Sequence, residues 1–108
     1  MDENQTLTAG TATQQPVPDN LELILINISG HDRPGVTAAL TAILAKYNAM
    51  ILDIGQADIH HTLSLGILVR TTSDVSGDIL KDLLFKAYDL GVKIRFTPVT
   101  AEEYRNWV

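Results

Sequence analysis

Leu21-Glu-Leu-Ile-Leu-Ile-Asn-Ile28 runs straight into Ser29-Gly-His-Asp-Arg-Pro-Gly-Val-Thr37, and the join between the two segments decides how this chain folds. The first is nearly continuous in apolar residues, the pattern of a strand covered on both faces and placed centrally in a sheet. Pro34 and Gly35 then force a turn. From there Val36, Ala39, Leu40, Ile43, Leu44 and Tyr47 recur at helical spacing, which predicts a helix from about Gly35 to Tyr47. Such a tight strand-to-helix turn aims the backbone N–H groups of Gly35, Val36 and Thr37 at a small space where the helix dipole favours an anion. A carboxylate fits there. Local structure alone also accounts for these residue types, with Asp32 capping the helix and Pro34 stiffening its start.

Working outward, Asn48 is suited to a left-handed helix end, and Met50 to Ile59 resumes in extended form. Leu63, Leu65, Ile67 and Val69 share one face of a further strand, so a hairpin around His60-His61-Thr62 is expected. Thr71 to Gly77 reads as a polar turn, with Ser73, Asp74 or Ser76 able to cap a second helix that turns Ile79, Leu80, Leu83, Leu84, Ala87 and Leu90 inward. Gly91 ends that helix. In the last strand Val92, Ile94 and Phe96 face in, Lys93, Arg95 and Thr97 face out, and Pro98 suits a strand end or an edge. The order βαββαβ is the ferredoxin-like α+β arrangement: a four-stranded antiparallel sheet with two helices on one face. The other face, apolar in part, calls for a cover such as a second copy. Thr100-Ala-Glu-Glu103 has the form of a capping box, with Trp107 close behind it.

A chain of 108 residues, 45% hydrophobic and 19% charged, has room for one small globular core. Met1 to Asn20 is poor in large apolar residues and is read as a flexible leader; 21–99 form the domain, and 100–108 an extension or linker. No apolar run is long enough for a membrane helix and no export signal is evident, so a cytoplasmic location is expected. A net charge of −5 with scattered cations gives no footprint for nucleic acid or an anionic membrane. There is no cysteine, and His31, His60 and His61 lack metal-ligand spacing, so no metal site is expected.

With the loop, helix and second strand read, His31-Asp-Arg-Pro-Gly-Val36 followed by Leu44 to Gln56 resembles the ACT domain, a regulatory amino-acid-binding module. Ser29 to Thr37, Ile51-Leu-Asp-Ile-Gly-Gln56 and Leu63-Ser-Leu-Gly-Ile-Leu-Val69 together are similar to the amino-terminal ACT region of bacterial phosphoserine phosphatases, over about Leu21 to Val99. The resemblance implies a sensor of a small amino acid, with L-serine the leading candidate, bound between this loop and a partner ACT domain or second subunit. It implies that Asp32 meets the ammonium and that the N–H groups from Gly35 onward, through Val36 and Thr37, meet the carboxylate. His31 and Pro34 would shape the turn, and Asp53 and Gln56 would face a partner's ligand. The Asp-x-Asp-x-Thr nucleophile motif of the phosphatases does not occur, so no catalytic residue is assigned and Mg²⁺ is expected only in a separate catalytic domain following this piece. A stand-alone ACT regulator resembling glycine-cleavage repressors, or an ACT module that only dimerises, fits the same residues.

Overall fold

The computed structural model describes residues 20–107. The expected leader, Asn20 excepted, and Val108 lie outside them. The elements are β1 (Leu21–His31), α1 (Val36–Lys46), β2 (Met50–Ile59), β3 (Thr62–Thr72), α2 (Ser73–Leu90), β4 (Lys93–Val99) and α3 (Ala101–Trp107). All four strands pair antiparallel in the order β2-β3-β1-β4. This is the expected ferredoxin-like βαββαβ fold with a short third helix added.

Periodicity explains which side chains are inside. Ile24, Ile26 and Ile28 alternate along the central β1 and meet Leu63, Leu65, Ile67 and Val69 of β3; Val36, Leu40 and Leu44 of α1 and Ile79, Leu83 and Ala87 of α2 close over them. Burying each such Leu, Ile or Val contributes about 1.5–3 kcal/mol. Ile94 and Phe96 of β4 pack against this layer, while Pro98 sits on the edge strand, where its missing N–H breaks no inner ladder.

Three local expectations are corrected. The polar turn over Thr71 to Gly77 is absent: β3 stays paired to Thr72, Ser73 N–H donates to Asn20 O at 2.8 Å, and α2 begins at once. Thr71 is buried in the ladder, and the N-cap is Thr72 without a side-chain cap bond, rather than Ser73, Asp74 or Ser76. Leu84, expected inward, is 54% exposed, because the core takes the stripe Ser76-Ile79-Leu83-Ala87 and Leu84 lies beyond its border. The open sheet face is also covered in part from within. Leu68 and Val99 are buried there, and Trp107 at the end of α3 lines a small cavity with Leu25, Leu68, Gly55 and Gly66.

Candidate functional site

The loop from Asp32 to Gly35 is held at both ends. Asp32 N–H donates to His61 O at 2.8 Å, tying the end of β1 to the β2–β3 turn. In that turn His60 and His61 both have positive φ, 51° and 63°, the mirror-image geometry that matches strand twist. On the other side Arg33 Nη2 lies 3.6 Å from the point a Cβ on Gly91 would occupy, so the guanidinium rests at the C-terminus of α2, where the helix dipole favours a cation. Just upstream, Gly30 is pressed against Val92: a Cβ on Gly30 would stand 3.0 Å from Val92 Cγ1, which only glycine avoids.

Gly35 is the N-cap of α1, with φ 89°, and no side chain caps the helix. An L-residue resists that backbone, and its role here is to swing the chain so that α1 starts open to solvent. Asp32 therefore does not act as the cap. The Val36 N–H is turned onto Arg33 O at 3.3 Å, and Ala39 N–H onto Gly35 O at 2.9 Å. Of the three donors expected to face an anion, Val36 is thus engaged, whereas among the described residues Gly35, Thr37 and Ala38 have no backbone acceptor.

These groups line an open cleft of about 420 Å³ formed by Asp32, Arg33, Pro34, Gly35, Val36, Thr37, Ala38 and Gln56. Gln56 reaches it from β2: its Oε1 accepts the Thr37 hydroxyl at 3.3 Å, and its Nε2 donates to Asp58 Oδ2 at 3.4 Å. The structure thus brings together six of the eight residues singled out in the sequence. His31 ends β1 opposite Thr62 and does not line the cleft. Asp53 pairs with Leu68 after a bulge at Leu52 and lies on the opposite sheet face, beside Trp107, its Oδ1 accepting Ile54 N–H at 2.9 Å.

Sequence reasoning missed Arg33 and Ala38. The signal for Arg33 was its position between Asp32 and Pro34; that for Ala38 was its place as the third residue of α1, where helix N–H groups are still unpaired. The cleft therefore joins one carboxylate, a helix N-terminus and a carboxamide, with Arg33 lining it while its guanidinium reaches the end of α2. A zwitterion with an adjacent ammonium and carboxylate matches that set.

Met50, Ile51, Ile54 and Ile59 are exposed along β2, which forms one edge of the sheet and carries Gln56 into the cleft. Among the described residues no cluster of His, Cys, Asp or Glu could hold a metal ion, and no helix is long and apolar enough to cross a membrane.

Comparison with known proteins agrees with this architecture. A phosphoserine phosphatase of Mycobacterium tuberculosis is 42% identical over 60 residues, 55% of this chain, and the chain spans only 15% of that protein's length. A UPF0237 protein of Methanopyrus kandleri is 36% identical over 72 residues, covering 65% of this chain and 80% of that protein. Among solved structures, a protein assigned as a glycine cleavage system transcriptional repressor superposes with a TM-score of 0.71 at 15% identity, over 74% of this chain and 47% of that one, a likeness of fold. The ACT domain family itself matches residues 22–97, from the start of β1 almost to the end of β4, and this chain belongs to it.

Proposed function

We propose that this chain is an amino-acid-sensing regulatory domain that binds L-serine, or a similarly small amino acid, at the loop after β1. The observation that carries the reading is the open N-terminus of α1 behind Gly35, flanked by Asp32 and Arg33. Asp32 takes the ligand ammonium, the N–H groups of Thr37 and Ala38 take its carboxylate, and Gln56 borders the side-chain end. ACT domains generally bind amino acids and dimerise. A second copy set beside β2 covers Ile51 and Ile54 and closes the cleft from its open side. Ligand binding then shifts the balance between arrangements of the two copies, and that shift is the regulatory output.

The domain works by binding rather than catalysis, and two settings fit it. The identity to the mycobacterial enzyme supports a role ahead of a phosphoserine phosphatase in serine synthesis. The likeness to small UPF0237 proteins over most of their length supports a stand-alone regulator equally.

Calorimetric titration with L-serine, with glycine and L-alanine as controls and solution mass measured in the same buffer, tests the reading. Saturable serine binding by a dimer, lost in Asp32→Ala, is expected. Absence of binding by all three amino acids overturns it in favour of a purely dimerising module. An Asp-x-Asp-x-Thr motif encoded downstream in the same reading frame would select the phosphatase setting.

A further inference from the structure

The open face of the sheet is divided in two. At one end Leu25, Leu68 and Trp107 make an apolar surface; at the other the register sets polar side chains in two adjacent rows across β3, β1 and β4. Gly66, Asn27 and Arg95 form one row, and Ser64, Ser29 and Lys93 the next. All of these but Gly66 line a groove of about 470 Å³, on the face of the sheet away from the helices and separate from the loop cleft.

Lys93 and Arg95 stand two residues apart on a strand, about 6–7 Å along its axis, and emerge on the same side. The chain as a whole has eight Lys and Arg against thirteen Asp and Glu, yet among the described residues no carboxylate lies within ion-pair distance of either cation. Nor, among the described residues, do the side chains of Asn27, Ser29 or Ser64 have hydrogen-bond partners. Two cations, two hydroxyls and a carboxamide thus line one space, their donors unused among the described residues.

We propose that this groove is a second ligand site, one that binds the phosphate group of a small phosphorylated metabolite. A carboxylate offers two acceptor oxygens and one charge, fewer than this set can engage. A phosphomonoester carries a charge of about −1.5 to −2 and three strong acceptor oxygens, which two cations and neighbouring hydroxyls match. Arg95 supplies the paired donors and Lys93 the point charge. Two cations line the groove, on a chain of net −5, too few neutralised phosphates for a long polyanion, which restricts the ligand to a small molecule. The site shares no side chain with the loop cleft, so it stands or falls independently of the serine reading.

The test is a titration of the ¹⁵N-labelled full chain with inorganic phosphate, with acetate in a parallel arm, at constant ionic strength. Phosphate is expected to give saturable shifts at the amides of Asn27, Ser29, Ser64, Lys93 and Arg95, with acetate at least roughly tenfold weaker. Lys93→Gln and Arg95→Gln should each weaken phosphate about tenfold, the worth of one charge-assisted hydrogen bond. Arg105→Gln, on α3, should leave it unchanged. Retention of binding in Lys93→Arg separates loss of charge from damage to the fold. Shifts confined to Thr37 and Ala38, equal response to acetate, or no saturation would overturn the proposal.

Discussion

The hydroxyl of Thr37 donates to Oε1 of Gln56 across 3.3 Å, joining the first turn of α1 to the edge strand β2. Nineteen residues separate the two in sequence, and the bond sets the width of the cleft between them. Thr37→Val keeps the shape of the side chain and removes the donor. Because the bond is exposed, stability should fall by at most about 1 kcal/mol. Serine affinity should fall several-fold as Gln56 loses its fixed position, read by calorimetry beside a thermal melt. An unchanged affinity would place Gln56 outside the ligand's reach.

Two glycine-to-alanine changes should act in opposite directions. Gly35 has φ 89°, so Gly35→Ala forces an L-residue into the left-handed region at a cost of about 1–2 kcal/mol. A domain of this size should then melt roughly 5–10 °C lower. Gly77 lies inside α2 with open space around the position of a Cβ, so Gly77→Ala should stabilise by about 0.5–1 kcal/mol. Calorimetric melts of both variants check the pair of signs.

Tyr47 OH donates to Asp82 Oδ2 at 2.6 Å, and Lys46 Nζ stands 3.5 Å from the same oxygen, so the bridge links α1 to α2. The Tyr47 hydroxyl, more than any other group, holds the Asp82 carboxyl below its ordinary range, with Lys46 adding to the effect. Asp82 in return holds the Tyr47 phenol above its ordinary range. A lowered carboxyl contributes stability above about pH 4 and loses it as the pH falls through the folded value. A raised phenol contributes below about pH 10 and loses it as the pH rises. Tyr47→Phe should therefore lower the melting temperature most on the plateau between these limits and less on either side. Both groups are solvent-accessible, so the difference should be small and shrink in high salt if Lys46 shares in it.

Thr100 and Glu103 form a reciprocal capping box: Thr100 N–H donates to Glu103 Oε1 at 2.9 Å, and Glu103 N–H to Thr100 Oγ1 at 3.0 Å. No residue of α3 is buried, so the seven-residue helix depends on this cap. Thr100→Ala should fray α3 at a cost of about 0.5–2 kcal/mol to the helix alone. Trp107 emission should shift to the red while the melting temperature of the sheet stays in place.

Much of the fold was legible because its signals are local. The period of two in Leu63 to Val69, the helical spacing from Val36 to Leu44, and the turn forced by Pro34 and Gly35 each lie within a dozen residues of sequence. The capping box at Thr100 was legible for the same reason. The cleft was legible only as far as the loop reaches: Asp32, Pro34, Gly35, Val36 and Thr37 are neighbours along the chain, and Gln56 came with the resemblance. Arg33 escaped because its position depends on Gly91, at the far end of α2.

The pattern of apolar and polar residues, by itself, determined the order of elements, the central place of β1 and the face on which the helices lie, because burial and backbone geometry act residue by residue. Contacts between distant segments were decided only in three dimensions. The absence of a turn before α2 follows from pairing with Asn20 and Leu21, and the exposure of Leu84 follows from where α2 meets the core. Asp53 parts from Gln56 for a simpler reason: three residues apart on one unbroken stretch of strand, they face opposite sides of the sheet. The separation of a cationic groove from an apolar one on the open face arises from strand register, which brings Asn27, Ser64 and Arg95 together although no short stretch of the chain contains them. Register is a property of paired strands, and the pairing exists only once the chain has folded.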